Sequence, residues 1–296
     1  MIEIRKFAAI DIGSNAMRLL IANVIEENGK ETHFNKNALV RLPIRLGQDA
    51  FTIGEISQEN IERMIDAMKA FKLLMKVHKV EKYVALATSA MREASNGKEV
   101  IDIINKSADI KIEIIDGKTE ATIIASTDLH YLLKTEKTYL YVDVGGGSTE
   151  FSLFSDGKMV VSKSFKIGTV RLLNNMVNEL VWQEIENWIK NYTKEFENVT
   201  LIGSGGNINK LFKMSGQPLD KPLTYAYVHK RYAFLNSLSY EQRIYEMGLN
   251  PDRADVIALA TKIYLNAMKW SSAKHIYVPK IGLSDGIIKA MYYDKI

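Results

Sequence analysis

Cysteine is absent from the 296-residue chain, which excludes a disulfide framework, a thiolate metal site and a cysteine nucleophile together. Any catalysis must rest on oxygen and nitrogen groups. No apolar stretch approaches the roughly 18 uninterrupted residues of a membrane span. The amino terminus carries Glu3, Arg5 and Lys6 straight into a strand pattern, without an apolar signal core. A cytoplasmic location, with no membrane and no nucleic-acid partner, is the expectation. There is no Gly-x-Ser-x-Gly elbow, which disfavours covalent serine hydrolysis. Neither a P-loop ending in Gly-Lys-Ser/Thr nor a Gly-x-Gly-x-x-Gly dinucleotide fingerprint occurs. The histidines, 5 in all, show no metal-ligand spacing, and His78, His130 and His229 read as surface residues. A strong charge bias is missing too: the net charge of +4 and pI near 8.9 favour an anionic ligand only mildly.

What is present is enough apolar residue, 47%, to bury two cores. Phe7 to Val24 reads as strand, polar turn (Asp11 to Asn15) and strand. Tyr139 to Phe154 repeats the pattern around the glycine-rich turn Asp143 to Ser148, which suggests a structural duplication. Ser57 to His78 has helical apolar spacing, with Met64, Met68 and Met75 as core filler. Buried strands are expected at Tyr83–Ala87 and Ile112–Ile115, and further strands at Met159–Phe165, Val199–Ile202 and Ile276–Val278. Helices are expected over Glu120–Leu133, most of Val170–Tyr192, Tyr240–Tyr245 and Ala254–Trp270, with a turn at Gly282–Gly286 before a last helix. Strands alternating with helices predict an α/β fold of sheets covered by helices. No low-complexity linker separates the halves, so the boundary falls inside ordered structure, just after Ile115 or within the next helix.

Three polar turns each follow an apolar strand: Asp11-Ile12-Gly13-Ser14-Asn15, Asp143-Val144-Gly145-Gly146-Gly147-Ser148, and Gly203-Ser204-Gly205-Gly206-Asn207. Glycine lets backbone amides approach a ligand and Ser or Asn adds donors, so such turns can cradle phosphate. One alone would be merely a tight turn; three in one chain point to a phosphate site. Asp11 and Asp143 stand at strand ends, where the competing reading is a turn cap bound to its own backbone. Glu150 lies across the glycine turn from Asp143, so the hairpin can bring both carboxylates to one divalent ion such as Mg²⁺, which takes one or two carboxylates plus phosphate oxygens and waters. Arg92, leaving a buried strand, suits phosphate, with a surface salt bridge to Glu93 or Glu120 as the alternative. Glu120, at a helix start, reads from its position alone as a first-turn residue favoured by the helix dipole.

Asp11–Leu19, Ala87–Ala94, Asp143–Glu150 and Gly203–Asn207, in that order, resemble the signatures of the exopolyphosphatase and guanosine pentaphosphate phosphohydrolase (Ppx/GppA) family, in a short two-domain form. Arg45-Leu46-Gly47, Ile114 to Ala121 and Phe165 to Leu172 fit as well, so the resemblance spans nearly the whole chain. It implies two actin-like, ribonuclease H-like domains of the sugar kinase, actin and heat-shock chaperone superfamily, residues 1–122 and 123–296, with the last helix (about 284–296) packing back on the first domain and phosphate bound in an interdomain cleft. It implies an exopolyphosphatase releasing terminal orthophosphate from polyphosphate, or the variant acting on guanosine pentaphosphate, with Mg²⁺ as cofactor and a homodimer as the usual assembly. By resemblance Glu120 orients or deprotonates the attacking water, Arg92 contacts phosphate, and Asp143 and Glu150 hold the metal. The phosphate-binding set is Asp11, Gly13, Ser14, Asn15, Arg18, Ser89, Gly145, Gly146, Gly147, Ser148, Gly205, Gly206 and Asn207.

The chain departs from the family pattern at Ala16, where Ser is usual, at Thr119, where an acidic residue is common, and at Asn207, where Thr is common. It also ends near where longer members begin an added helical portion linked to gripping long polyphosphate, which implies a preference for shorter substrates. An ATP-dependent kinase of the same superfamily and a non-catalytic alarmone-binding regulator are the competing classes; the intact set of Glu120, Arg92, Asp143 and Glu150 argues against the regulator.

Overall fold

The structure, a computed structural model, describes residues 1–125, 127 and 137–296. The chain divides into two units, Met1–Thr127 with Leu283–Ile296, and Asp128–Gly282, the second described from Lys137.

In the first unit, alternating and fully apolar runs form β1 (Ile2–Ile12), β2 (Met17–Glu27) and β3 (His33–Leu42), an antiparallel meander. The short helix α1 (Leu46–Thr52) follows, entered through Arg45 in a left-handed conformation (φ 63). Helix α2 (Gln58–His78) begins at Ser57, whose hydroxyl accepts the Asn60 amide, and buries Met64, Met68 and Met75 as expected. The chain then makes β4 (Lys82–Ala87), α3 (Ser89–Glu93), α4 (Gly97–Ala108), β5 (Ile112–Ile114) and α5 (Gly117–Ala125). β4 runs parallel to β1, and β5 parallel to β4, giving the order β3-β2-β1-β4-β5. The last helix of the chain, Leu283–Tyr292, packs on β1 and α5.

The second unit repeats this plan. β6 (Tyr139–Val144), β7 (Thr149–Ser155) and β8 (Lys158–Phe165) form the meander. α6 (Thr169–Leu173) and α7 (Glu179–Thr193) lead to β9 (Thr200–Ser204), parallel to β6, and α8 (Gly206–Ser215). β10 (Leu223–Thr224), α9 (Tyr225–Ser237), α10 (Tyr240–Tyr245), α11 (Pro251–Ala254), α12 (Ile257–Trp270) and β11 (His275–Tyr277) complete it. The last helix is α13. The sheet order is β10-β11-β9-β6-β7-β8, with β11 parallel to β9. Its core includes Val142, Phe151, Trp188, Leu201 and Ile263.

Meander, crossover and parallel strands occur in the same order in both sheets, which supports the duplication and gives the α/β, actin-like architecture read from the sequence. The stretch Val170–Tyr192 is mostly helix, as expected, in two pieces separated where Asn175 takes a left-handed conformation (φ 55). Two expectations change. Gly286 lies inside α13 rather than in a turn. Helix α5 starts at Gly117, before Glu120, because the Asp116 carboxylate accepts the Thr119 amide at 2.7 Å and caps it; that bond holds the Asp116 carboxyl below the ordinary range. The part of the expected helix running to Leu133, and His130, lie outside the described residues. Among the described residues no helix is long and apolar enough to cross a membrane.

Candidate active site

In the first unit the candidate residues gather at the ends of β1 and β4. The hairpin register places Asp11 directly opposite Arg18, and Gly13 donates its amide to the Ala16 carbonyl at 3.2 Å to close the turn. Directly opposed residues share a sheet face. Here Arg18 Nη1 donates to Asp11 Oδ2 at 2.7 Å, with the Asp11 side chain 4% exposed and that of Arg18 36%. Asp11 thus anchors a guanidinium that reaches towards solvent. The Ser14 and Ser89 hydroxyls lie 2.9 Å apart in a buried hydrogen bond, tying the first turn to the start of α3. The turn is held from behind by α1, whose Gly47 amide donates to the Ser14 carbonyl at 2.7 Å, while the Arg45 amide donates to that of Asn15 at 3.1 Å. Arg92, on α3, donates from Nη1 to the Ile115 carbonyl at 2.6 Å, immediately ahead of the cap of α5. Half-buried Glu120 sits in the first turn of that helix.

The second unit has the same hairpin with different chemistry. Asp143 stands opposite Glu150, and the Gly145 amide donates to the Ser148 carbonyl at 3.0 Å, as Gly13 does to Ala16. The sequence positions correspond one for one, yet the cation Arg18 is replaced by a second carboxylate. Two directly opposed carboxylates repel, and a hard divalent ion ligated by one or two carboxylates suits that geometry. Glu150 is buried, and its Oε1 accepts from Ser148 Oγ at 2.7 Å and from Ser164 Oγ at 2.9 Å, which fixes the plane of the carboxylate. Among the described residues no group of three or more His, Cys, Asp or Glu could hold a metal, so this pair could offer an ion two carboxylates at most. Next to Asp143 in the sheet is Ser204 of β9. There the chain turns at Gly205 (φ 115) into α8, carrying Gly206 and Asn207 on its first turn. The Tyr264 hydroxyl donates to the Ser204 carbonyl from beneath this turn. Burial, and then the Asp143 charge, push the Tyr264 phenol well up, so it stays a proton donor.

The sequence-derived candidates therefore fall into two clusters, one in each unit: Asp11, Gly13, Ser14, Asn15, Arg18, Ser89, Arg92 and Glu120 in the first, and Asp143, Gly145–Ser148, Glu150 and Gly205–Asn207 in the second. Sequence reasoning missed Ser164 and Tyr264. Ser164 is one residue in an alternating strand and is identified only by the register that pairs it with Glu150. Tyr264 is indistinguishable from core filler in an apolar helix.

A profile of the Ppx/GppA phosphatase family matches residues 30–294. The chain is 30% identical over 300 residues to a bifunctional 3-dehydroquinate synthase/phosphatase of Fusobacterium nucleatum, spanning 92% of this chain but 44% of that protein. A putative exopolyphosphatase of Haemophilus influenzae is 25% identical over 270 residues, covering 86% of this chain and 81% of the relative. Among solved structures, an exopolyphosphatase from Cytophaga hutchinsonii superposes with a TM-score of 0.82 at 25% identity, covering 98% of each chain. The Aquifex aeolicus member of the Ppx/GppA family does so with a TM-score of 0.76 at 27% identity, covering 99% of each. With its fold, its ordered motifs and this match over most of its length, the chain belongs to the Ppx/GppA phosphatase family.

Proposed function

We propose that the protein is an exopolyphosphatase that releases terminal orthophosphate from inorganic polyphosphate by in-line attack of water. The observation that carries this reading is the Asp143–Glu150 pair, opposed at the mouth of a glycine hairpin whose counterpart in the first unit holds an Asp–Arg ion pair. A transferred phosphoryl group needs charge neutralised on its equatorial oxygens and little covalent chemistry from the protein. In this reading the amides of the Gly145–Ser148 loop bind those oxygens and Arg92 adds a cation. Glu120 orients the water and accepts its proton. A divalent ion on Asp143 and Glu150 would supply charge neutralisation on the phosphate oxygens. Names carried by relatives, exopolyphosphatase among them, support the same substrate class.

The test is orthophosphate release by the purified protein with Mg²⁺ from short and long polyphosphate, guanosine pentaphosphate and ATP, alongside Glu120→Gln. Release from polyphosphate is expected, reduced about a hundredfold or more in the variant with its unfolding midpoint unchanged. Release confined to guanosine pentaphosphate would move the assignment to the alarmone variant. No release from any substrate, or full activity in Glu120→Gln, overturns the mechanism.

A further inference from the structure

The glycine loop does not orient itself. Its carbonyls are bound from one side by the segment that links β8 to α6. Gly145 O accepts the Thr169 amide at 3.0 Å and Gly146 O accepts the Val170 amide at 2.8 Å, while Gly147 O accepts Nε of Arg171 at 2.7 Å. The segment is fixed in turn by Thr149, whose hydroxyl donates to the Ile167 carbonyl at 2.6 Å. A trans peptide points its N–H opposite to its C=O, and the structure has no cis peptide bond among its described residues. Binding the carbonyls of 145, 146 and 147 therefore turns the amides of Gly146, Gly147 and Ser148 away from this segment. Such a run of oriented amides is a concavity for an anion.

Two residues make the contact close. At Gly168 an added Cβ would lie 2.3 Å from the Gly146 oxygen, 2.4 Å from its carbonyl carbon and 2.6 Å from the Gly147 nitrogen. Only glycine allows the two backbones to meet there. Arg171 is buried, at 8% exposed, and its side chain supplies the third donor because the helical backbone has by then moved past the loop: the Arg171 amide reaches only back to the Gly146 oxygen, at 3.4 Å. A guanidinium also places a full positive charge behind the last peptide of the loop. Its bond to Gly147 O polarises the peptide whose other end is the Ser148 amide.

We propose that Arg171 is a positioning residue for phosphate: through the Gly147 carbonyl it aims the Ser148 amide at the substrate, and with Gly168 it sets the loop in its anion-binding form. This inference rests on the reading of the Gly145–Ser148 loop as a phosphate cradle. It predicts weaker phosphate binding when the side-chain donor is lost, beyond any loss of stability.

The experiment uses the full chain and inorganic orthophosphate as the probe, measured by equilibrium binding and by product inhibition, together with KM and kcat on short polyphosphate and the thermal unfolding midpoint. Arg171→Met is expected to weaken orthophosphate binding and raise KM about tenfold or more, the scale of a lost charge-assisted hydrogen bond. Arg171→Lys, which keeps the charge, should recover part of the affinity. A purely structural arginine would instead lower the midpoint and the active fraction while leaving KM and phosphate affinity as they are; that result overturns the proposal. If Arg171→Met does not fold, Arg171→Lys decides: affinity reduced at an unchanged midpoint supports the positioning role, and unaltered affinity sinks it. A wild-type protein that binds no orthophosphate and releases none would overturn the cradle reading and this inference with it, whereas wild-type binding matched by Arg171→Met would overturn the inference alone.

Discussion

Ser164 is the residue whose role follows most directly from strand register. It faces Glu150 across the β7–β8 ladder and shares the Oε1 atom with Ser148. A carboxylate held at one oxygen by two hydroxyls presents the other in a fixed direction, which is how outer hydrogen bonds tune a metal ligand. On the reading of Asp143 and Glu150 as the ion's ligands, removing one of the two donors lets the carboxylate turn. Ser164→Ala is therefore expected to raise the Mg²⁺ concentration for half-maximal activity about tenfold, with kcat at saturating Mg²⁺ close to wild type. An activation curve that superposes on the wild type would assign Ser164 to the strand alone. The corresponding position in the first unit is Arg41, opposite Arg18, so that hairpin has no hydroxyl there.

Elements deliver these residues, and the delivery of Glu120 depends on one contact between helices. α5 carries Glu120 in its first turn and packs on α13, where Gly286 faces the α5 backbone: a Cβ there would lie 2.4 Å from the Ile123 oxygen. Two effects oppose each other in Gly286→Ala. Alanine gains about 1 kcal/mol of helix propensity, while overpacking against a backbone atom costs about 1–3 kcal/mol. Because the obstacle is backbone and cannot rotate away, the clash wins. The variant is expected to unfold at lower urea and to lose activity as α5 is pushed aside; a midpoint higher than wild type would show that α13 can yield. The same contact explains why Gly286 misled a sequence-based turn assignment. Its glycine marks a close approach inside a helix rather than a reversal of the chain. Similarly, β3 and α9 carry too few buried periodic apolar residues to be legible, whereas α4 and α8 do show helical apolar spacing (Val100, Ile101, Ile104 and Ala108; Ile208, Leu211 and Phe212) and were open to a sequence reading. The order of strands in a sheet is a long-range property that no local window contains. The hairpins were legible, since short apolar strands flanking Asp-x-Gly turns are local signals, and so were the candidate residues on them. The pairing of Asp143 with Glu150 was legible across its turn; what the sequence alone did not display was that Asp11 meets the Arg18 guanidinium at the corresponding place, a contrast that needs the register.

At the scale of the whole molecule, the duplicated fold gives two sheets that share the order of five strands, with β10 added at the edge of the second, and divergence between the copies puts an internal ion pair on one and a facing carboxylate pair on the other. The surplus of positive charge is small, +4 over the chain, and some of the basic side chains are engaged locally: Lys163 pairs with Glu184 at 2.8 Å and Lys36 with Asp285 at 2.8 Å. On the proposed reading a short polyphosphate would be held mainly by the loop amides, whose short-range hydrogen bonds resist screening. A long chain would run on over the surface, where each further phosphate would gain only what a screened side chain provides. The Debye length falls from about 30 Å at 0.01 M to about 8 Å at 0.15 M salt, so attraction beyond the loops decays over that range while attraction within them does not. KM for long polyphosphate is therefore expected to climb steeply with added salt, KM for a chain of a few phosphates to change little, and kcat for both to stay level. Parallel salt curves for short and long chains would mean that the surface outside the loops contributes nothing to substrate capture and that the terminal phosphates alone set affinity.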